Sequence, residues 1–294
     1  MHKSGFVNIV GNPNVGKSTL MNSLVGERIS IITSKAQTTR HRIMGIVNTD
    51  DMQIVYSDTP GVLKPNYKLQ ESMLGFSQSA LIDADILLYV TDTVETPDKN
   101  AEFLNRVAQG NTHVIVIINK IDLLKGQADL EALVDKWHEL LPKAEIIPIS
   151  AMLRFNIDNL LKRIQELLPP SPPFFDKDAL TDKPARFFVN EIIREKILLT
   201  YDKEIPYACE VAVELFKESD KRIEISAVIY VERDSQKGII IGKGGAALKR
   251  VGTLARKDIE AFFDKQVYLQ LYVKVEKDWR NRENKLRSFG YVND

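Results

Sequence analysis

Residues 11–18 of the chain have the sequence Gly11-Asn12-Pro13-Asn14-Val15-Gly16-Lys17-Ser18. This run fits the pattern G-x-x-x-x-G-K-[ST] of a phosphate-binding P-loop. Residues 6–10 before it predict a short buried strand, and residues 17–25 after it predict a helix. The two glycines let the backbone curl with its N–H groups facing inward, and a helix N-terminus favours an anion at the same point. The stretch therefore predicts a phosphate site at the start of an α/β domain.

The length and composition of the chain limit the classes of protein to which it can belong. The 294 residues predict about two domains, and the hydrophobic fraction of 44% and charged fraction of 27% are typical of a soluble globular protein. The formal net charge is zero, so composition gives no overall attraction to nucleic acid. Cys209 is the only cysteine, and the longest aliphatic run, residues 114–118, is too short to cross a bilayer. We expect a cytoplasmic protein without intramolecular disulfides.

Strands and helices alternate along residues 1–168. Short aliphatic runs predict strands, and apolar residues at helical spacing predict helices between them. The predicted strands are 6–10, 43–47, 53–56, 86–90, 114–118 and 146–149, and the predicted helices are 17–25, 69–82, 97–109, 128–140 and 157–168. The pattern predicts an α/β domain with a doubly wound, mostly parallel sheet, in which ligands bind at the carboxyl ends of the strands.

Two motifs predict how a nucleoside triphosphate and Mg²⁺ are bound. Lys17 supplies a positive charge for the β- and γ-phosphates, and Ser18 supplies a hydroxyl to Mg²⁺. Asp58-Thr59-Pro60-Gly61 fits D-x-x-G, in which the carboxylate holds Mg²⁺ and the glycine N–H senses the γ-phosphate. We expect Lys17 and Gly61 to act in catalysis, and Ser18 and Asp58 to act as metal ligands.

Two further stretches predict the base. Asn119-Lys120-Ile121-Asp122 follows a buried strand, and its carboxylate can accept both the N1–H and the N2–H of guanine, a donor pair that adenine lacks. Asn119 would brace the loop, and the stem of Lys120 would cover the ring. Ser150-Ala151-Met152 follows the next predicted strand, where a backbone N–H could reach guanine O6. The cofactors predicted are therefore GTP or GDP with Mg²⁺.

These four motifs, in this order, resemble the translation-factor-related class of P-loop GTPases. The resemblance implies a loop threonine that binds Mg²⁺ in the triphosphate state and acts in catalysis with Lys17 and Gly61, and it favours Thr39, with Thr38 as the alternative. We count Val62 among the nucleotide-binding residues because it directly follows Gly61, but it stands where Ras-like members carry a catalytic glutamine, so we expect slow intrinsic hydrolysis. Met152 stands where relatives often carry lysine. Because the predicted contact with guanine O6 is made by a backbone N–H, this difference should not remove it. Asn14 resembles the asparagine through which K⁺ bridges phosphates in related enzymes.

A second domain follows a proline cluster. Residues 169–173 contain four prolines, which cannot continue a helix, so we place domain boundaries at 1–168, a linker at 169–184 and a second domain at 185–294. Its predicted order is helix, strand, strand, short helix, Gly242-x-x-Gly245 loop, long helix and strand, which resembles a type II KH domain. A KH loop clamps a single-stranded nucleic-acid backbone.

The region around this loop is basic. Residues 235–257 carry six Lys or Arg and no Asp or Glu. The predicted RNA-binding residues are Ile241, Gly242, Lys243, Gly244, Gly245, Lys249 and Arg250.

Nearly the whole chain resembles the Era family of GTPases. The resemblance rests on the GTPase motifs, the KH-like domain and three stretches, which are Gln37–Arg42, Glu191–Lys196 and Arg287–Val292. It implies a GTP/GDP switch that binds the 3′ region of 16S ribosomal RNA and acts in assembly of the 30S subunit. It also implies peripheral association with the inner face of the membrane, and we expect a monomer.

Two alternatives from other functional classes are distinguishable by experiment. A scaffold could bind RNA and use the nucleotide only structurally, in which case hydrolysis would not exceed the rate in buffer. A membrane or cell-cycle signalling GTPase could use its KH-like domain to bind protein. RNA affinity would then be absent or insensitive to salt, whereas phosphate contacts make RNA affinity fall with salt.

Overall fold

The computed structural model describes residues 1–95 and 100–291. The chain divides into two compact units: unit 1 comprises Met1–Asn66 and Gln70–Asp182, and unit 2 comprises Tyr67–Leu69 and Lys183–Asp294. The predicted helix start at Pro97 and the final residues from Val292 lie outside the described residues.

Unit 1 contains a six-stranded sheet in its described part. Its strands are β1 (Lys3–Gly11), β2 (Ile43–Asn48), β3 (Met52–Asp58), β4 (Ile86–Asp92), β5 (His113–Asn119) and β6 (Glu145–Pro148). They lie in the order β2-β3-β1-β4-β5-β6, and all neighbours are parallel except β2 and β3. The predicted doubly wound, mostly parallel sheet is confirmed.

Helices cover both faces of this sheet. They are α1 (Lys17–Val25), α2 (Lys68–Ser79), α3 (Ala101–Gln109), α4 (Gln127–Leu140) and α5 (Ile157–Leu167). Alternate strand residues point to opposite faces, so one strand contributes to two cores. Leu88 packs with residues of α1 and α5 in one core, and its neighbour Tyr89 packs with residues of α3 and α4 in the other. This burial on both faces explains why the strands are aliphatic throughout.

The proline-containing segment runs along unit 1. Ser4 N donates to the carbonyl oxygen of Pro169 at 3.2 Å, and Gln53 Nε2 donates to that of Phe175 at 2.8 Å. Farther on, Ile46 N donates to the carbonyl oxygen of Leu180 at 2.9 Å, beside a bridge between Gly45 and Thr181. A proline cluster predicts a stiff, extended spacer. The segment instead includes bends and a turn within residues 174–178, and farther on it satisfies backbone groups of β2, which has no partner strand on its outer side in the described sheet.

Unit 2 is an α+β fold with a three-stranded sheet in its described part. Its elements are α6 (Ala185–Thr200), α7 (Ile205–Ala208), β7 (Glu210–Glu218), β8 (Arg222–Val231), α8 (Asp234–Ile241), α9 (Ala246–Phe263), β9 (Gln266–Val275) and α10 (Glu283–Ser288). β7 pairs antiparallel and β9 pairs parallel with the central strand β8. The predicted KH domain is confirmed. The sequence analysis did not predict the short helices α7 and α10.

The C-terminal segment packs onto unit 2. Trp279 is fully buried, and its Nε1 donates to the carbonyl oxygen of Ala208 at 3.0 Å. Tyr291 is also buried, and its hydroxyl bonds to Glu210 Oε2 at 2.5 Å. These long-range contacts order the segment up to residue 291. Within residues 1–95 and 100–291, no helix has both the length and the hydropathy needed to cross a membrane.

Candidate nucleotide site and KH groove

A cavity of about 640 Å³ lies at the carboxyl ends of the unit 1 strands. Every nucleotide motif predicted from the sequence contributes to its lining. The predicted residues that line it are Pro13, Asn14, Gly16, Lys17, Ser18, Thr39, Gly61, Asn119, Lys120, Asp122, Ser150 and Met152. Segments that are up to 139 residues apart in the chain, from Pro13 to Met152, therefore form one site, as the rule for open parallel sheets requires.

Lys17 lies inside the P-loop. Its Nζ donates to the carbonyl oxygens of Gly11 and Asn12 at 3.0 and 2.7 Å, and the side chain is buried. Burial lowers the pKa of Lys17 to about 8, while the negative charges of Asp58 and Glu95 act in the opposite direction. A buried ammonium group is stabilised by an anion placed beside it, so a phosphate group suits this position.

Gly16 occupies a position where a larger residue does not fit. Its φ is +96°, and a Cβ added there would lie 2.2 Å from Asn119 Nδ2. Gly16 also precedes the first residue of α1, so its conformation directs the backbone N–H groups of the helix N-terminus toward the cavity. Both the turn and the close approach of Asn119 require glycine.

Three oxygen-bearing side chains converge beside the P-loop. Ser18 Oγ lies 2.7 Å from Asp58 Oδ2 and 2.8 Å from Thr39 Oγ1, and Thr39 Oγ1 donates to Asp58 Oδ2 at 3.4 Å. Thr38 instead donates to the carbonyl oxygen of Lys35 at 2.6 Å. The structure therefore brings Thr39, rather than Thr38, to Ser18 and Asp58.

This cluster has the chemistry of a magnesium site. Mg²⁺ prefers hard oxygen ligands and is usually held by one or two carboxylates together with substrate phosphates. Burial raises the pKa of Asp58, and hydrogen bonding from Ser18 and the charge of Lys17 oppose that rise. Among the described residues, no donor reaches the buried Asp58 Oδ1, which leaves this oxygen available to a cation or its water. The residues fit the predicted ion.

Asn119 connects the base-side loops to the P-loop. Its Nδ2 donates to the carbonyl oxygen of Val15 at 2.8 Å, and its Oδ1 accepts from Ala151 N at 3.0 Å. Lys120 Nζ donates to the carbonyl oxygen of Asn14 at 2.6 Å and to Asp92 Oδ2 at 2.7 Å. Asp122 is exposed at the cavity wall, where its carboxylate is accessible to a base.

Val62 lies outside the cavity lining. Its side chain is 3% exposed and belongs to a core cluster of unit 1, and its N–H donates to the carbonyl oxygen of Gly11 at 3.1 Å. An aliphatic, buried side chain cannot orient water by hydrogen bonding. Gly61 approaches the P-loop so closely that a Cβ on it would lie 2.7 Å from the Pro13 backbone.

Several residues at the site were missed by the sequence analysis. The loop between α1 and β2 lines the cavity with Ile31, Ile32, Thr33, Ser34, Lys35 and Gln37, and Leu123 lines the base end. The polar run at residues 30–42 is typical in sequence of a mobile loop, but in the structure Thr39, Arg40 and His41 are buried. Asn12 donates to the Glu95 carboxylate and accepts from Asn100. These partners come from a distant segment, and no local motif indicates them.

The predicted KH loop has open space on one side. Gly244 has φ +59° and Gly245 has φ +79°, and a Cβ built on either residue would meet no atom within 4 Å. The loop joins α8 to α9, and Gly245 lies directly before the first residue of α9. Lys243 is exposed on the same loop. A nucleic-acid backbone could therefore approach the loop and the helix N-terminus together.

A groove of about 390 Å³ continues from this loop between α9 and β9. Lys249 lines it as part of the predicted set, whereas Arg250 is absent from its lining and Ile241 is half-buried against the core. The structure adds Leu248, Gly252, Thr253, Arg256, Leu269 and Leu271 to the lining. The floor is thus apolar and the rim is basic, which suits unstacked bases and phosphates respectively.

Comparison with known proteins identifies the family. Residues 6–120 match a family model described as "50S ribosome-binding GTPase", and residues 204–280 match one described as "KH domain". GTPase Era from Staphylococcus haemolyticus is 44% identical to the chain over 295 residues, covering 100% of this chain and 98% of the relative. The chain belongs to the Era family of GTPases. The predicted family resemblance is confirmed.

Solved Era structures have the same fold over their full length. One structure is Era in complex with MgGDPNP and nucleotides 1506–1542 of 16S ribosomal RNA; it has a TM-score of 0.95 at 40% identity and covers 100% of both chains. The other is a point variant of Era from Aquifex aeolicus bound to GDP·AlF4⁻, with a TM-score of 0.95 at 40% identity and coverage of 99% and 100%. Both units of the chain therefore have the architecture of Era.

Proposed function

We propose that the protein is a Mg²⁺-dependent GTPase switch that binds 16S ribosomal RNA near its 3′ end and acts in 30S subunit assembly. The convergence of all the predicted nucleotide motifs on one cavity carries the first part of the proposal. Membership of the Era family supports the part that concerns 16S ribosomal RNA and the 30S subunit, because a solved Era structure is a complex with MgGDPNP and nucleotides 1506–1542 of 16S ribosomal RNA.

The reaction is attack of water on the γ-phosphate, which yields GDP and phosphate without a covalent intermediate. Ser18, Thr39 and Asp58 would hold Mg²⁺, which when bound neutralises charge on the β- and γ-phosphate oxygens. Lys17 supplies a second positive charge, and the N–H of Gly61 donates to the γ-phosphate. Because the side chain of Val62 is buried and aliphatic, intrinsic hydrolysis is slow until another group orients the water.

Base selection depends on two braced loops. Asp122 accepts the N1–H and N2–H of guanine, and the N–H of Ala151 donates to O6, while Asn119 holds both loops against the P-loop. Adenine would leave the carboxylate without its donor pair and would present an amino group to the N–H. A site built around these hydrogen bonds rejects the wrong base by a large factor.

RNA binds the loop at residues 242–245 and the groove beside it. Lys249 and Arg256 in the groove meet phosphates, together with the exposed Lys243 on the loop and the exposed Arg250 on α9, and Leu248, Leu269 and Leu271 support bases. The matching family model names the 50S subunit, but it covers only residues 6–120, which do not include the KH domain. The 16S assignment has the stronger support, because the Era–RNA structure is similar over the full chain.

Four finer proposals follow from the same assignment. The protein acts in the cytoplasm, where ribosomal subunits assemble, and it is a monomer with peripheral association to the inner membrane face. K⁺ bridges the phosphates through Asn14, whose backbone has φ +65° at the cavity wall. Hydrolysis at equal rates in K⁺ and Na⁺ would rule out the K⁺ proposal, light scattering tests the monomer, and fractionation of cells tests the membrane association.

The decisive experiment crosslinks the protein to RNA in cells and sequences the attached RNA. The test variant is Gly244→Asp, which places a carboxylate in the phosphate path. The matched control is Gly26→Asp in unit 1, where φ is also positive, at +84°, and a Cβ likewise meets no atom within 4 Å. A sharp peak near the 3′ end of 16S ribosomal RNA, kept in the control and lost in the test variant, supports the proposal.

Other outcomes favour the alternatives. A peak on 23S ribosomal RNA would favour the 50S subunit as the partner. Diffuse or absent crosslinks would favour a signalling GTPase whose KH domain binds protein. RNA crosslinks together with hydrolysis no faster than in buffer, measured with RNA and K⁺ present, would favour a scaffold that uses the nucleotide structurally.

A further inference from the structure

Arg42 uses all three guanidinium nitrogens inside unit 1. Its Nε donates to Ser57 Oγ at 2.6 Å, and its Nη1 and Nη2 donate to the two carboxylate oxygens of Asp83 at 2.7 and 2.9 Å. Nη2 also donates to Asn8 Oδ1 at 3.2 Å. The Arg42 side chain is 11% exposed. A bidentate, mostly buried guanidinium–carboxylate pair fixes the direction of both side chains.

The groups around Arg42 belong to the rigid part of the unit. Asn8 and Ser57 are fully buried on the neighbouring strands β1 and β3, where they are register partners. Asn8 Nδ2 donates to the carbonyl oxygen of Ala80 at 2.8 Å and to Asp83 Oδ1 at 2.7 Å. Ala80 and Asp83 follow the end of α2. Arg42 is thereby held to the sheet and to the segment after α2 at the same time.

Arg42 is separated from Thr39 by two residues. Those residues, Arg40 and His41, are buried, so the chain between Thr39 and Arg42 has little freedom. Upstream of Thr39 the same loop includes the exposed Ile32. The end of the loop that is held in place is therefore the end that contains Thr39, whose hydroxyl lies 2.8 Å from Ser18 Oγ.

From this geometry we infer that Arg42 is a positioning residue, which holds Thr39 beside Ser18 and Asp58 and so sets the preference of the site for triphosphate over diphosphate. The inference rests on the proposed role of Thr39 toward magnesium and the γ-phosphate. Arg42 itself does not line the nucleotide cavity; it acts by anchoring the loop at residue 42.

The test measures the dissociation constants of GDP and of a non-hydrolysable GTP analogue in the intact protein. Arg42→Lys keeps the charge but loses the fork that reaches Asp83, Ser57 and Asn8 together. We expect the analogue-to-GDP preference to fall by about tenfold, which corresponds to about 1.4 kcal/mol, with GDP affinity unchanged. The Mg²⁺ concentration needed for tight analogue binding should rise, whereas a purely structural role would leave both the ratio and the Mg²⁺ dependence unchanged.

Two further variants complete the design. Asp83→Asn removes the negative charge that pairs with Arg42, at a half-exposed position that does not line the cavity. It should also lower the analogue-to-GDP preference, and it provides a second test if Arg42→Lys folds poorly. Arg163→Lys is the matched control, because Arg163 also makes a bidentate pair, with Glu145, but lies on α5 outside the cavity lining. We expect no change in the ratio for the control.

Thr39→Ala separates the inference from the function on which it rests. If Thr39→Ala leaves the analogue-to-GDP ratio unchanged, the proposed role of Thr39 is wrong. If Thr39→Ala lowers the ratio but both Arg42→Lys and Asp83→Asn leave it at the wild-type value, the positioning role of Arg42 is overturned while the role of Thr39 stands.

Discussion

The side-chain amide of Asn119 donates to the main-chain carbonyl of Val15 at 2.8 Å, although 104 residues separate the two in sequence. The same side chain accepts from the N–H of Ala151 at 3.0 Å. One buried amide thus connects the P-loop with the loop after β6, and the phosphate end of the site with the base end.

Asn119→Ala should weaken nucleotide binding without direct loss of a phosphate contact. It leaves the carbonyl of Val15 and the N–H of Ala151 without this partner, and a buried unsatisfied group costs about 1–3 kcal/mol. We expect GDP affinity to fall by about 10- to 100-fold in titration with a fluorescent GDP analogue. Asn111→Ala, at an exposed position before β5, is the control. Equal affinities for both variants would contradict the bracing role.

Asp122→Asn should change the base that the site accepts. The amide presents one donor and one acceptor in place of two acceptor oxygens, which mismatches guanine N2–H but suits the carbonyl that xanthine carries there. GTP affinity should drop by about 100-fold or more while the affinity for xanthosine triphosphate rises. Competition binding with GTP, ATP and xanthosine triphosphate measures the change, and a gain for ATP instead would refute the assigned contact.

Gly16→Ala should abolish nucleotide binding, whereas Gly26→Ala should not. Both glycines have positive φ, +96° and +84°, so both substitutions carry a similar backbone strain, about 1 kcal/mol. Only at Gly16 would the new Cβ meet another atom, Asn119 Nδ2 at 2.2 Å; at Gly26 it meets nothing within 4 Å. GDP binding and thermal unfolding of the two variants separate the collision from the strain. Equal loss of binding in both would show that strain alone is responsible.

Arg256→Ala should weaken RNA binding similarly across RNA sequences. Arg256 lines the KH groove at its basic rim, so its contact is expected to be with phosphate. The slope of log affinity against log salt should become shallower by about 1, because one fewer counterion is released. Lys221→Ala, in the exposed turn between β7 and β8, is the charge-matched control. A loss that depends strongly on RNA sequence would instead indicate base recognition.

Acid should remove a small stabilising contribution of Glu145. Hydrogen bonds from Arg163, and then from His113, lower the pKa of Glu145 below its ordinary value of 4.5. A carboxylate with a lowered folded-state pKa stabilises the protein above its unfolded pKa, and this stabilisation disappears as pH falls through the folded value. Because the site is partly solvent-exposed, the effect should be only about 0.2–1 kcal/mol.

Urea unfolding of wild type and Glu145→Gln tests this expectation. The wild type should be the more stable at pH 7, and the difference should shrink below pH 4.5 and vanish once the pH has fallen through the lowered folded-state pKa of Glu145. Glu139→Gln, at an exposed position on α4, should show no such convergence. A difference that persists at low pH would mean that Glu145 acts through packing rather than charge.

The parts of the site that were predicted best from the sequence are those whose function depends on residues only a few positions apart. The P-loop sets the distance between its glycines and Lys17 within eight residues, and N-K-x-D sets that between Asn119 and Asp122 within four. Alternating strands and helices then place these motifs at one edge of a sheet. That is why the fold and most of the cavity lining could be predicted.

Partners distant in sequence could not be predicted in the same way. Nothing near Trp279 indicates that its indole donates to Ala208, and nothing near Arg42 indicates Asp83. The burial of Thr39, Arg40 and His41 was missed because a polar run resembles a solvated loop when its partners lie on other elements. Such side chains are satisfied by tertiary contacts, which local patterns do not encode.

The pairing of residues 179–182 with β2 has a practical consequence for cutting the chain into fragments. An uncovered edge strand is a template on which a second molecule can add a strand, which leads to self-association. A fragment ending at residue 168 would expose the main-chain groups of β2 that Leu180 and Thr181 now cover. A fragment ending at Asp182 would keep that cover. The C-terminal limit of an isolated nucleotide-binding unit should therefore follow this strand edge rather than the end of the last helix.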